Sequence, residues 1–144
     1  GLNKKLEDIL VRNQDMESLL RHLNGRYSIA CMVNLRTDSQ RAIMVPDYFQ
    51  KMLDAHDGSF KSALHDYCER LVAPFCKDSF SLLMDYDFIH ARVESVGVLQ
   101  YGYTRNDGEK FLLTIFADRR SKDETMWVFS KDDLPQVELE LFES

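Results

Sequence analysis

At 144 residues, with 44% apolar and 29% charged side chains, the chain has the composition of a single globular domain with room for a genuine core. Its net charge of −6 comes without a basic run, which argues against nucleic acid or an anionic membrane as partner. No apolar run approaches the length of a bilayer span and no signal-peptide pattern is read at the start, although a membrane segment upstream in a longer parent stays open.

The first stretch predicts a long helix over residues 1–25. Leu2, Leu6, Ile9, Asn13, Met16, Leu20 and Leu23 recur at alternating spacings of four and three, a heptad seam. Asn13 at an a position is a device that fixes register and favours two strands. Arg12 and Glu17 fall where a parallel dimer would pair them. Leu6, Ile9, Asn13, Met16, Leu20 and Leu23 are therefore the expected homodimer interface. An amphipathic helix packing on its own domain would carry the same pattern, since Leu10 and Leu19 widen the stripe; the dimer is preferred.

Asn24-Gly25 ends that helix. Tyr27–Leu35 reads as a strand, apolar on both faces and so covered from both sides. Arg36–Ser39 is a turn, and Gln40–Val45 a second strand. Pro46 opens a short helix with Tyr48, Phe49, Met52 and Leu53 on its buried side. Asp57-Gly58 breaks it, and Ser59 caps the next helix. Phe60, Ala63, Leu64, Tyr67, Cys68 and Leu71 then form one apolar stripe. Pro74 stops that helix near Val72. A helix restart is predicted near Asp78 or Ser79, and Asp85 caps another short helix. Val96–Arg105, Lys110–Asp118 and Thr125–Ser130 read as strands. Asn106-Asp107-Gly108 joins the first two as a hairpin. Leu99, Tyr101 and Tyr103 share one face of the first of these strands. Arg119–Glu124 is a charged loop, and the tail over residues 131–144 is acidic. Three units result: an N-terminal helix (1–25), a domain (26–130) and a tail or linker (131–144).

The stretch Glu69–Val93 resembles the middle of PAS sensor domains of bacterial signalling proteins, those ahead of diguanylate cyclase or histidine kinase output domains. The matching positions are Glu69, Arg70, Val72, Pro74, Phe80, Asp85, Ile89 and Arg92. The chain departs at Ala73, Phe75 and Cys76, where such domains carry histidine and acids. The element order over Tyr27–Ser130 agrees. The resemblance implies an α+β fold: a PAS-like five-stranded antiparallel sheet with helices inserted between the second and third strands. It also implies a cytoplasmic, non-catalytic sensing or relay domain that regulates an output domain in the same parent chain. Regulation would run through ligand binding, dimer rearrangement or both.

The chemistry-bearing residues offer little else. The histidines, His22, His56, His65 and His90, stand in no zinc spacing. Cys31, Cys68 and Cys76 are odd in number and irregular in spacing, as expected of buried thiols in a reducing compartment. His90 matches the histidine of haem-binding relatives in position alone. Cys68 and Cys76 lack the asparagine-cysteine-arginine context of flavin photosensors. Haem and flavin are disfavoured, and the cofactor is otherwise unknown. There is no phosphate loop and no nucleophile elbow. Tyr67, Phe88, His90, Tyr101 and Trp127 are the candidate ligand-binding residues, lining an apolar pocket with polar tips for a small molecule. Their packing against one another would leave a ligand-free dimerisation module instead. A third reading, a small α+β enzyme, needs Asp85 or Asp87 buried in an apolar cavity.

Overall fold

A computed structural model describes residues 27–117, 121 and 123–131. The residues of the predicted N-terminal seam, Leu6, Ile9, Asn13, Met16, Leu20 and Leu23, lie outside the described residues, as does the tail beyond Lys131.

The fold is α+β. Strands β1 (Ile29–Asn34) and β2 (Gln40–Met44) form a hairpin, and helices α1 (Asp47–Ala55) and α2 (Phe60–Leu71) follow. A 3-10 turn over Pro74–Cys76 runs into the short α3 (Lys77–Phe80), then a second 3-10 turn over Ser81–Met84, then α4 (Tyr86–Val96). Strands β3 (Val98–Thr104), β4 (Lys110–Ala117) and β5 (Glu124–Lys131) complete one antiparallel sheet of order β2-β1-β5-β4-β3. All four helices among the described residues enter between the second and third strands, as expected.

Strand β5 in the centre of the sheet joins the hairpin to β4 and β3. Its Trp127 lies opposite Cys31 on one side and Ile115 on the other. The face carrying Ile29, Cys31, Leu113, Ile115, Trp127 and Phe129 packs against the helices and makes the main core. The other face buries Ala30, Phe116, Met126 and Val128 in a smaller cluster. Strand β1 is thus buried on both faces over Ile29–Cys31, as its apolar run predicts.

Several local signals act as read. Ser59 accepts from Ser62 N and caps α2, and Asp85 accepts from Asp87 N and Phe88 N and caps α4. Gly108, at φ 91, closes the β3–β4 turn, where a side chain would be strained. Two signals act differently. The chain does not restart at a cap near Asp78 or Ser79. Pro74 fits the first position of a 3-10 turn, so helical backbone resumes there, with neither residue as N-cap. Val96 belongs to the end of α4 rather than to β3. The break comes one residue later at Gly97, whose φ of 91 ends the helix. No helix among the described residues is long and apolar enough to cross a membrane.

Candidate functional site

The space between helices and sheet holds a chain of aromatic rings. Trp127 packs edge-on against Phe60 at 5.1 Å, Phe60 against Phe49 at 6.1 Å, and Phe49 against Tyr67 at 6.1 Å. Tyr67 continues the chain to Phe80, Tyr103 and Phe129. Tyr67 and Trp127 are fully buried. The polar tip of Trp127 is satisfied: its Nε1 donates to Thr125 Oγ1 at 3.0 Å.

Three of the five candidate residues, Tyr67, Tyr101 and Trp127, lie in this layer. Tyr67 stacks on Phe80 and meets Tyr103 edge-on, while Tyr101 stacks on Tyr103 and meets Phe80 edge-on; neither touches the other directly in these ring contacts. The Tyr101 hydroxyl turns instead to Ser79 Oγ and the Cys76 carbonyl, at the helical linker. Trp127 lies two rings away from Tyr67. Phe88 is half-buried on the edge of the core. His90 is on the surface of α4, with Nδ1 at 3.4 Å from Glu94 and Nε2 at 3.7 Å from Asp123. Asp85 and Asp87, the carboxylates an enzyme would need buried, are both exposed.

An open groove of about 420 Å³ lies elsewhere, between the β1–β2 turn (Leu35–Asp38), Lys61 and Met84–Asp87. None of the five candidates lines it. Its organising residue is Asp38, held in left-handed backbone at φ 63. The Asp38 carboxylate accepts from Ser59 Oγ, from the Tyr86 hydroxyl and, at 3.0 Å, from Lys61 N. It therefore ties the hairpin turn to the starts of α2 and α4. Burial pushes the Tyr86 hydroxyl up from its ordinary value, and the hydrogen bond to Asp38 adds to that.

The strongest polar constellation is built around Arg105, a residue the sequence did not single out. It follows β3 at the hairpin turn, where its backbone bridges Val72 at the end of α2. Ala73 N donates to the Thr104 carbonyl at 2.9 Å, and Asn106 N to the Leu71 carbonyl at 2.8 Å. This stitching aims the Arg105 side chain back across the helix layer. Nε donates to the Tyr67 hydroxyl at 3.1 Å, and Nη2 donates to the Tyr48 hydroxyl. The guanidinium lies 4.2 Å over the Phe111 ring, and 5.4 and 5.3 Å from those of Tyr48 and Tyr67. The Tyr67 hydroxyl is in turn hydrogen-bonded to that of Tyr103. Among the described residues no carboxylate pairs with Arg105.

Burial opposes the Arg105 charge, but the oxygens of Tyr67 and Tyr48 more than offset it, so the guanidinium stays protonated, its pKa above the ordinary value. Burial raises the Tyr67 and Tyr103 hydroxyls, so both are neutral phenols at physiological pH. The cluster is thus a half-buried cation in an aromatic and phenolic cup, contributed by α1, α2, β3 and β4. It offers hydrogen-bond donation and positive charge, and no general base or nucleophile. No group of acidic, histidine and cysteine side chains suited to a metal ion occurs among the described residues.

Compared with known proteins, the chain matches no family model, no curated protein and no solved structure.

Proposed function

We propose that this is a PAS-like, non-catalytic signal-sensing or relay domain of a cytoplasmic bacterial signalling protein, regulating an attached output domain of the diguanylate cyclase or histidine kinase type. The observation that supports it most is the Arg105 cluster. One cation links α1 through Tyr48, α2 through Tyr67 and the β3–β4 hairpin through Tyr103 and Phe111. A ligand that draws Arg105 away from either phenol loosens helices from sheet, and that difference between two packings is what a relay transmits. The five-stranded sheet with helices between its second and third strands is the architecture the resemblance implies. The test is output activity of the parent chain carrying Tyr48→Phe with Tyr67→Phe. A shifted basal rate or a blunted response supports the relay; wild-type behaviour in a folded variant removes the cluster from it.

A ligand-free dimerisation module is the second reading. It is favoured by the aromatic chain from Trp127 to Tyr103, which fills the space between helices and sheet. Its interface would be the heptad seam, and sedimentation of Ile9→Asp with Leu20→Asp against wild type tests it.

A further inference from the structure

We infer that the Arg105 cluster is a receptor for a carboxylate. The inference rests on the sensing function only in taking the same cluster as the site, and it names the ligand chemistry. Three observations carry it. First, a buried or half-buried cation is ordinarily matched by an acid, and Arg105 has none among the described residues; its partners are neutral phenols. Second, the hydrogens do not balance. Tyr67 accepts from Arg105, and one hydrogen serves the contact between the Tyr67 and Tyr103 hydroxyls. Whichever of the two donates, the other's hydroxyl hydrogen has no acceptor among the described residues, and both side chains are buried. Third, no hydrogen bond to Nη1 occurs among the described residues, and the guanidinium lies against the Phe111 ring and near that of Tyr48. A leftover donor, a positive charge and flanking aromatic rings together suit a planar carboxylate.

Such a carboxylate has two sources. One is a free small acid approaching Tyr48 and Arg105, both of which are only half-buried. The other is the chain itself. Lys131, the last residue of β5, lies opposite Phe111, the ring that Arg105 covers, and the next two residues in the sequence are Asp132 and Asp133.

Calorimetric titration of the full chain with sodium benzoate and sodium acetate tests the inference and separates the sources. Neutral benzamide is the charge control, and Asp132→Asn with Asp133→Asn the source control. Saturable benzoate binding to the wild type, weakened at least tenfold in Arg105→Lys and several-fold in Tyr103→Phe but kept in Arg92→Lys, establishes a free-acid site. Binding that appears only once Asp132 and Asp133 are neutralised establishes that the chain supplies the carboxylate. Absence of binding in both backgrounds, or equal affinity for benzamide, overturns the inference. Tyr103→Phe removes one hydroxyl and keeps the ring packing, so it decides the matter should Arg105→Lys fail to fold. A failed titration leaves regulation of the output domain standing, since that is read in the parent chain.

Discussion

Arg105 Nε sits 3.1 Å from the Tyr67 hydroxyl across 38 residues of chain, and this bond fastens the end of β3 to the middle of α2. Tyr67→Phe removes the acceptor and leaves the ring in place. It should cost about 1–2 kcal/mol, the loss of a hydrogen bond to a charged group in a partly buried site. Urea unfolding followed by Trp127 emission measures it. An unchanged midpoint would mean that water replaces the phenol without penalty.

Asp38 offers a sharper contrast. Asp38→Ala strands the Tyr86 hydroxyl and puts alanine at φ 63, and should cost about 2–3 kcal/mol. Asp38→Asn keeps an acceptor oxygen and tolerates left-handed backbone, so about 1 kcal/mol or less is expected. Thermal melts of the two variants side by side check the order.

The helix starts give a second pair. Asp85→Ala should cost about 1 kcal/mol, because two α4 amides lose their cap. Asp78→Ala should stay within about 0.5 kcal/mol, because its side chain is exposed and caps nothing.

These contrasts show what was legible in the sequence. Ser59, Asp85 and Asn106–Gly108 could be read because capping and turn chemistry act over three or four residues. The apolar stripe of α2 and the shared face of Leu99, Tyr101 and Tyr103 could be read from periodicity. Asp78 and Ser79 looked like caps, but Pro74 had already restarted helical backbone. Val96 looked like strand because it is β-branched, but the helix breaks only after it, at Gly97. The Arg105 cluster had no local signal: an arginine at a hairpin end reads as solvated, and its partners Tyr67 and Tyr48 stand 38 and 57 residues away. The candidates Tyr67 and Tyr101 lie in the aromatic layer between helices and sheet. The polar neighbours they find there, Arg105 and Ser79, follow from the stitching of β3 to α2 and to the linker, which no pattern in the sequence carries.

High pH should unfold the protein in a defined direction. Burial pushes the Cys31 thiol from 9.0 up to about 12, and raises the Tyr67, Tyr86 and Tyr103 hydroxyls above 10.0. These groups ionise first in the unfolded chain. Their contribution is therefore complete below their unfolded values and is lost as pH rises toward the folded ones. Stability should be flat from neutral pH to about pH 9 and then fall toward pH 12. Urea midpoints across that range test it, and Cys31→Ala should flatten the early part of the decline.

The most direct test of the regulatory account is the output rate of the parent protein with and without residues 27–131. The account predicts that deletion changes the basal rate several-fold and abolishes its response, while the isolated domain turns over no substrate. An output rate and response unchanged by the deletion would contradict it.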